Sequence, residues 1–355
     1  MPLGVSHHPT AFQRGEKRAL MRAVVIEAFG EPGEVLAVRE VPSEPLRRGE
    51  VRVRMLASPI NPSDLMTIRG IYGQRPALPA TPGYEGVGIV RESGGGMLGR
   101  WLKGRRVAGL NRQGGSWATE SIVPARQCVP LPEELPLEQA AMFFVNPATA
   151  YVMIRHVLNV PRDAWLIQSA AGGSLGQMII RLGKHYGFRT INVVRREDQI
   201  KPLRDIGADS VIVFDDSKDD PSQLADAAHQ ATGGVRIEFA IDPVGGTIGT
   251  GILQSLGEHG RMLVFGSLAD QPTMFSPREM LTKVLRIEGF WLAKWFASAT
   301  LPTRLRTVRA VSRLIREGVL VNDVGRSFGL DEVKEAVRHS EIPGRGGKSW
   351  LRIAD

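Results

Sequence analysis

A glycine-rich turn between an apolar run and an amphipathic segment is the part of this sequence best suited to chemistry. The run Trp165–Ile167 has strand character, and Ala170–Gly176 reads Ala-Ala-Gly-Gly-Ser-Leu-Gly before apolar residues at helical spacing. Glycine lets a backbone approach phosphate oxygens, and the free amides at a helix start attract negative charge. The order predicts a site for a dinucleotide pyrophosphate. Because the first glycine of the usual G-x-G-x-x-G pattern is alanine, the turn alone also fits a plain strand-to-helix connection.

Two arginines follow where enzymes that use NAD usually carry an acid for the ribose 2′-hydroxyl. The segment Thr190–Arg196 reads Thr-Ile-Asn-Val-Val-Arg-Arg. The guanidinium groups of Arg195 and Arg196 would bind a 2′-phosphate, which favours NADPH as the cofactor. The alternative is a solvated cluster of loop charges.

Composition limits the class of protein. The 355 residues are enough for two domains, and the single cysteine, Cys128, excludes an intrachain disulfide and a four-cysteine zinc lobe. No apolar run approaches the roughly 20 residues that a membrane span needs. The net charge of +8 suits an anionic ligand, although a generally basic surface explains it equally well. We expect neither a membrane nor a nucleic-acid partner.

Residues 1–20 lack the periodicity of a strand or a helix. They have no apolar core of a secretory signal and are not clearly amphipathic, as a transit peptide would be. We therefore expect a disordered extension. A bacterial cytoplasm is the simplest location, with the mitochondrial matrix as the alternative.

The remaining chain has two patterns of predicted secondary structure. Residues 21–144 contain short strands punctuated by glycine and proline, whereas strands and helices alternate from Asn146 onward. Six strand candidates separated by helices predict an α/β fold with a doubly wound parallel sheet. We expect that sheet in residues 146–292, and a β-rich domain made of residues 21–145 plus 293–355.

Four separated motifs resemble, in order, those of the medium-chain dehydrogenase/reductase superfamily. The resemblance is to its zinc-free trans-2-enoyl-thioester reductases, which are similar to the mitochondrial enoyl reductases, and to the related quinone oxidoreductases. The motifs are Asn61–Asp64 followed by Gly70–Gly73 and Pro79, then Asn146–Tyr151, then Thr190–Arg195, and then Gly289–Leu292 with Trp295. The resemblance runs from Met21 to the end of the chain and implies a GroES-like catalytic domain around a Rossmann domain.

The resemblance also implies that the chain binds no zinc. Zinc alcohol dehydrogenases in this superfamily use cysteine and histidine ligands in the catalytic domain. Here Asn61–Asp64 covers the position of the cysteine, the Gly-His-Glu signature reads Gly83–Glu85 with tyrosine in the middle, and the seven histidines lack ligand spacing.

Tyr72 is the candidate catalytic residue. A phenol with an ordinary pKa near ~10 is protonated at working pH, so it can donate a proton but is a poor base. Tyr72 lies in a loop flanked by glycines, and the resembling family has its proposed proton donor at this position. Without the resemblance, the residue could simply be an aromatic that packs in a loop.

The resemblance assigns further residues to the cofactor and the substrate. The cofactor-binding candidates are Asn146, Gly172, Gly173, Ser174, Leu175, Arg195, Arg196, Glu197, Phe265, Gly266, Ser267, Leu268, Phe290, Trp291, Leu292 and Lys348. The substrate candidates are Asn61, Trp291 and Trp295. Each has a structural alternative: an asparagine before proline forms turns, aromatic residues fill interdomain cores, and a lysine near a C-terminus is usually exposed.

These observations predict an NADPH-dependent reductase of trans-2-enoyl thioesters carried by coenzyme A or acyl carrier protein. A quinone or enone reductase on the same scaffold is the alternative enzyme. A non-catalytic NADPH-binding sensor or structural relative is the alternative outside enzymes. The apolar edge strand expected around Leu285–Leu292 would expose unpaired backbone groups, which predicts a homodimer.

Overall fold

The computed structural model describes residues 19–73, 75–111 and 115–354. Its strands are β1 (Leu20–Ile26), β2 (Leu36–Pro42), β3 (Glu50–Pro59), β4 (Glu85–Ser93), β5 (Arg106–Leu110), β6 (Glu120–Pro124), β7 (Cys128–Pro130), β8 (Trp165–Gln168), β9 (Arg189–Val194), β10 (Ser210–Val213), β11 (Ile237–Asp242), β12 (Arg261–Val264), β13 (Arg286–Gly289), β14 (Val324–Gly329) and β15 (Lys348–Arg352).

The helices alternate with these strands. They are α1 (Pro32–Val35), α2 (Pro62–Ile68), α3 (Met97–Leu102), α4 (Leu137–Ala141), α5 (Val145–Val152), α6 (Ser174–Tyr186), α7 (Ile200–Asp205), α8 (Pro221–Ala231), α9 (Gly246–Ser255), α10 (Pro277–Thr282), α11 (Leu292–Ser298), α12 (Leu301–Arg316) and α13 (Val333–Glu341). None of the helices in the described part of the chain has the length and apolar character needed to cross a bilayer.

Six parallel strands form the sheet that the alternating pattern predicts. Their order is β10-β9-β8-β11-β12-β13. Strands β9 and β10 therefore lie on one side of β8, and β11, β12 and β13 lie on the other. The first strand, β8, is buried along its whole length, as expected for a sheet covered by helices on both faces. The predicted doubly wound sheet is confirmed. In such sheets, ligands bind at the carboxyl ends of the strands, beside the point where the order reverses.

The second sheet belongs to the β-rich domain and combines distant parts of the chain. Its order is β14-β15-β3-β4-β5-β7, with β6 also paired to β3, while β1 and β2 form a separate antiparallel pair. Strand β15 pairs antiparallel with β3, with Trp350 opposite Pro59. The last strand of the chain therefore lies directly beside the loop that leads to Asn61.

One hydrophobic core joins the two sheets. The same cluster of buried side chains includes Ala57 and Val87 from the β-rich sheet and Leu166 and Met178 from the parallel sheet and its first helix. Apolar burial contributes roughly 25 cal/mol per Å² removed from water. This shared core therefore resists separation of the domains and holds the cleft between them in a defined geometry.

Some details differ from the sequence-based expectations. The apolar stretch around Leu285–Leu292 is not one strand, because β13 ends at Gly289, Trp291 is the N-cap of α11, and the helix begins at Leu292. Strand β1 already begins at Leu20. The extension expected for residues 1–20 otherwise lies outside the described residues.

Candidate active site

Tyr72 lies between two aromatic side chains from different parts of the fold. Helix α2 ends just before it, and the Tyr72 amide donates a hydrogen bond to the Met66 carbonyl oxygen at 3.2 Å. The centroid of its ring is 5.7 Å from that of Tyr84 and 5.3 Å from that of Trp291, with interplanar angles of 49° and 67°. Tyr84 precedes β4 and Trp291 follows β13, so residues of both sheets enclose the phenol.

Gly73 allows the close approach of Trp291. A Cβ atom at this position would lie 2.5 Å from Cη2 and 2.8 Å from Cζ3 of the indole. Such separations are well below van der Waals contact, which for carbon atoms begins at about 3.5 Å. The glycine after the tyrosine therefore makes room for the aromatic side chain that bounds Tyr72.

The surroundings of Tyr72 keep its hydroxyl protonated. Burial is the main cause that raises the pKa of Tyr72 to about 12, and the neighbouring Tyr84 and Asp64 add to the effect. The side-chain hydrogen bond with Trp291 lowers the pKa and so works in the opposite direction. The Tyr72 hydroxyl is thus protonated over the physiological pH range, so it can donate a proton but cannot act as a base.

A buried carboxyl group lies beneath this aromatic group. Asp64 is only 1% exposed, and its two oxygens accept hydrogen bonds from the Asn61 amide at 2.8 Å and the Tyr84 amide at 3.1 Å. Burial raises the pKa of Asp64 to about 7 in spite of these hydrogen bonds. Asp64 therefore links the start of α2 to the residue that precedes β4.

Glu85 connects the same region to α5. One carboxylate oxygen accepts a hydrogen bond from the Asn61 side-chain amide at 3.1 Å. The other accepts from the backbone amides of Phe144 at 3.2 Å and Val145 at 2.8 Å, which are at the start of α5. A carboxylate at this end of a helix pairs free amides and compensates the helix dipole. Glu85 thereby fixes the position of Asn146, the next residue of α5.

Lys348 completes the buried group. Its side chain is on the first residue of β15, is 4% exposed, and donates a hydrogen bond from Nζ to Oδ1 of Asn61. Burial lowers the pKa of Lys348, Arg345 lowers it further, and Glu85 and Asp64 oppose the change. The lysine is thus buried at the centre of the catalytic domain. Contact between Lys348 and a cofactor stays a prediction.

The glycine turn leads directly into the start of a helix, an arrangement that could hold a phosphate group. Helix α6 begins at Ser174, after Gly172 and Gly173, and its first turn has no acidic side chain. The first amides of a helix have no partner within it, so they are available to an anion. Gly176 permits close helix–strand packing, because a Cβ there would lie 2.6 Å from the Ala171 backbone. Leu175 packs against the core that the two domains share.

The two arginines lie after β9, at the carboxyl edge of the parallel sheet. Arg195 is exposed, and Arg196 pairs with Asp198 through a 3.1 Å contact from Nε to Oδ1. The guanidinium of Arg196 also reaches Gly344 in the loop before β15. Glu197 begins a short 3₁₀ turn that leads into α7. The free helix amides and these guanidinium groups share one edge of the sheet, so the set fits a phosphorylated dinucleotide.

The remaining candidates fall into two groups. Phe265–Leu268 follow β12, and Phe290 and Leu292 surround Trp291, all at the carboxyl edge of the sheet. Trp295 lies one helical turn farther on, with its ring 5.1 Å from that of His156 in the π-helical turn that follows α5. The structure therefore brings Trp291 to Tyr72, whereas the recorded ring contacts of Trp295 are with other residues.

Several functional candidates were not assigned a role from the sequence. Asp64, Tyr84 and Glu85 are central to the buried group, but they are far from Lys348 in the chain. The signal available was the Tyr-Glu pair at the start of the apolar strand β4, where tyrosine stands in the middle of the Gly-His-Glu signature. Within the described ranges, histidine, cysteine and carboxylate side chains do not gather in groups of three that could hold a metal ion.

Comparison with protein families matches both domains. Residues 47–133 match the alcohol dehydrogenase GroES-like domain, and residues 174–309 match the zinc-binding dehydrogenase family. The first match covers the sheet around Asn61, and the second covers the glycine turn and the parallel sheet.

Individual relatives cover almost the whole chain. The human mitochondrial enoyl-[acyl-carrier-protein] reductase is 32% identical over 360 residues, covering 99% of this chain and 95% of that protein. The Xenopus tropicalis protein of the same name is 33% identical over 343 residues, covering 94% of this chain and 95% of its own.

Solved structures share the fold. A Bacillus thuringiensis structure provisionally assigned as an NADPH:quinone reductase has a TM-score of 0.86 at 32% identity, covering 95% of this chain and all of its own. The Etr1p/NADP/crotonyl-CoA complex has a TM-score of 0.79 at 26% identity, covering 94% of this chain and all of its own. These similarities confirm the GroES-like and Rossmann-type architecture. The chain belongs to the medium-chain dehydrogenase/reductase superfamily, in the group that includes the mitochondrial enoyl-[acyl-carrier-protein] reductases.

Proposed function

We propose that this protein reduces the C=C bond of trans-2-enoyl thioesters with NADPH, the acyl group being carried by coenzyme A or acyl carrier protein. The observation that carries the proposal is a partly buried phenol, Tyr72, held between Tyr84 and Trp291 where the two sheets meet. The reductases of enoyl thioesters among its relatives, and the neighbour bound to NADP and crotonyl-CoA, support this substrate class.

When bound, NADPH would supply a hydride to the β-carbon of the substrate, with loss of a nicotinamide C–H bond and formation of NADP⁺. The two π electrons of the C=C bond then move toward the thioester carbonyl, and the α-carbon takes the proton of the Tyr72 hydroxyl. One C–H bond forms at each carbon, the O–H bond of Tyr72 breaks, and the phenolate regains its proton from water. The raised pKa of Tyr72 keeps the hydroxyl protonated before the reaction, so the proton is in place when negative charge develops on the substrate.

The turn at Gly172–Leu175 would receive the pyrophosphate, and Arg195 and Arg196 the 2′-phosphate. Asn146 and Lys348 would contact the end of the cofactor that faces the catalytic domain, where Asn61 and Glu85 hold both of them in place. Trp291 would bound the acyl group beside Tyr72, with Asn61 orienting the thioester and Trp295 farther along its path.

The proposal does not include a zinc ion. Where zinc enzymes of the superfamily have their cysteine and histidine ligands, this chain has Asn61–Asp64 and Tyr84, and these polar groups are already hydrogen-bonded to protein. An amide nitrogen and a phenol engaged in this way are poor zinc ligands in comparison with thiolate and imidazole.

The test is NADPH oxidation at 340 nm with crotonyl-CoA, a longer 2-enoyl-CoA and a benzoquinone. We expect thioester turnover in the wild type and a loss of about 10²- to 10⁴-fold in kcat for Tyr72→Phe, the usual contribution of a general acid. Tyr186→Phe, a change of the same size at the C-terminal end of α6, should leave the rate unchanged. No thioester turnover by the wild-type protein would refute the proposal.

A quinone or enone reductase remains the second candidate function, and the similarity to the Bacillus thuringiensis structure favours it. A quinone accepts a hydride without a dedicated proton donor, so quinone turnover should not change in Tyr72→Phe. A non-catalytic NADPH-binding protein is the third reading, and it would show tight NADPH binding without turnover of any of the three substrates.

We further propose a homodimer, because the edge strand β13 exposes Ile287 and leaves one row of backbone groups without a neighbouring strand. The Etr1p/Etr2p enzyme from Candida tropicalis is a heterodimer of related chains. For the location we propose a bacterial cytoplasm, with the mitochondrial matrix as the alternative, since the curated relatives named above are mitochondrial.

A further inference from the structure

Tyr84 replaces the histidine of the Gly-His-Glu signature, and its ring contacts the proposed proton donor. The ring centroids of Tyr84 and Tyr72 are 5.7 Å apart. Both residues are phenols, both are largely buried, and burial raises the pKa of each. Their hydrogen bonds nevertheless assign them different tasks.

The hydroxyl proton of Tyr84 already takes part in a hydrogen bond within the protein. Oγ1 of Thr67 lies 2.8 Å from the carbonyl oxygen of Ser63 and 2.6 Å from the hydroxyl oxygen of Tyr84. A carbonyl can only accept, and a threonine hydroxyl has one hydrogen to give. Thr67 therefore donates to Ser63, and the hydroxyl of Tyr84 donates to Thr67.

The backbone of Tyr84 is held as firmly as its hydroxyl. Its amide donates to Oδ1 of Asp64 at 3.1 Å, and its carbonyl oxygen accepts from the Asn111 amide at 2.8 Å. Two of its anchors, Asp64 and Thr67, are on α2. The chain that leaves α2 leads directly to Tyr72, so one short helix fixes both phenols relative to each other.

The Tyr72 side chain is held through Trp291, with which it shares a hydrogen bond, and through ring contacts. Its ring is confined on one side by Tyr84 and on another by Trp291. Proton transfer to carbon requires the donor atom within about 3–3.5 Å of its target. The ring of Tyr84 therefore limits where the Tyr72 hydroxyl can lie.

We propose that Tyr84 is a positioning residue, which holds the Tyr72 ring in place through its own ring and gives no proton to the substrate. The hydroxyl bond to Thr67 keeps the Tyr84 ring from rotating away. This inference rests on the function proposed for Tyr72. It gives Tyr84 a role, positioning of the proton donor, that the histidine of zinc-dependent relatives would not have.

The experiment compares Tyr84→Ala, Tyr84→Phe and the double variant Tyr72→Phe/Tyr84→Ala in NADPH-dependent reduction of crotonyl-CoA. For Tyr84→Ala we expect kcat to fall about 10- to 100-fold, the cost of a misplaced catalytic group. The KM for crotonyl-CoA and the Kd for NADPH, measured by fluorescence titration, should change by less than about threefold, because uniform binding is retained. Tyr84→Phe keeps the ring and should restore most of the rate.

The double variant decides whether Tyr84 acts through Tyr72. If it does, Tyr72→Phe/Tyr84→Ala should be no slower than Tyr72→Phe alone, because residues that act as a unit are not additive. Multiplied losses would overturn the proposal, and so would a Tyr84→Phe variant as slow as Tyr84→Ala, since the ring contact would then not be what positions Tyr72. A Tyr84→Ala variant with the wild-type kcat would overturn it as well.

Two controls separate this inference from the function on which it rests. Tyr186→Ala removes a half-buried aromatic side chain elsewhere and should leave kcat unchanged. Thermal unfolding establishes that each variant is folded, and Tyr84→Leu replaces Tyr84→Ala if the latter is not. Loss of rate in Tyr72→Phe with no effect of Tyr84→Ala refutes the positioning role alone. No thioester turnover by the wild type refutes the proposed function itself.

Discussion

Asp64 shows how burial and hydrogen bonding oppose each other at one residue. Both carboxylate oxygens accept backbone hydrogen bonds, which favour the charged form, yet removal from water raises the pKa to about 7. A carboxyl group with a pKa higher in the folded than in the unfolded state binds its proton more tightly when folded. Its contribution to stability is therefore complete below its ordinary pKa of 3.8 and is lost as the pH rises through about 7.

Asp64→Asn should remove this pH dependence and lower stability at the same time. Asparagine offers one acceptor oxygen for two backbone amides, so we expect a loss of about 1–3 kcal/mol in the free energy of unfolding. Urea unfolding at pH 5 and pH 8 is the measurement. The wild type should lose more stability between these values than the variant, with Asp226→Asn on α8 as the control. Equal losses in Asp64→Asn and the wild type would contradict the raised pKa.

Arg195 provides a residue-scale test of cofactor choice. Its guanidinium is exposed after β9, and a charge-assisted hydrogen bond to a phosphate contributes about 1.5–3 kcal/mol. Arg195→Ala should therefore raise the Kd for NADPH by about 10- to 100-fold and leave that for NADH nearly unchanged. Arg189→Ala, at the opposite end of the same strand, should alter neither value. Equal weakening for both cofactors would show that Arg195 does not read the 2′-phosphate.

At the scale of elements, the loop after α2 packs against Trp291 at the start of α11, and Gly73 allows this close contact. Gly73→Ala should displace Trp291, because a Cβ would lie 2.5 Å from Cη2 of the indole, and we expect kcat/KM to fall by about 10- to 100-fold. Gly73→Ala/Trp291→Phe should recover part of this loss, since phenylalanine lacks the ring atoms that clash. Initial rates with crotonyl-CoA provide the measurement.

Gly329→Ala is the matched control for the two Gly73 variants. A Cβ atom at Gly329 would lie 3.4 Å from its nearest neighbour, Oε2 of Glu332, which is an ordinary van der Waals distance. A Gly73→Ala variant as active as Gly329→Ala would show that the Trp291 ring moves without consequence for the reaction.

The elements that the sequence predicted well are those with a strong periodic signal. The strands of the parallel sheet, such as β8, are apolar runs, and α6 is an amphipathic segment, so the alternating pattern was confirmed. Strands β2, β7 and β14 have no such signal, because most of their side chains are partly or fully exposed and form no continuous apolar face. Trp291 was expected in a strand because an apolar run of four residues does not reveal a helix cap.

The buried group around Asn61 could be predicted only in part. The Asn61–Asp64 motif and Tyr72 are close in sequence, and their family pattern indicates a site. Lys348 is nearly three hundred residues away, and its burial depends on the pairing of β15 with β3. No local sequence pattern predicts the contact between Lys348 and Asn61, because the topology of the whole sheet determines that contact.

At the scale of the whole molecule, β13 ends the parallel sheet with an open edge. Ile287 is 40% exposed there, beside the Arg261–Glu288 ion pair. If a second chain covers this edge, Ile287→Lys should place a charge in the interface and shift the protein toward monomers in sedimentation velocity. Leu305→Lys, at an exposed apolar position on α12, is the control and should leave the dimer intact. A wild-type protein that sediments only as a monomer would refute the dimer.

The pairing of β15 with β3 has a consequence for the order in which the protein folds. Lys348 and Asn61 are 287 positions apart, and their hydrogen bond forms only once β15 lies beside β3. A contact of such long range closes late in folding, because the entropy of the loop between its ends is lost before the contact is made. We therefore expect the buried group around Asn61 to be completed after the parallel sheet, whose strands all lie between Trp165 and Gly289.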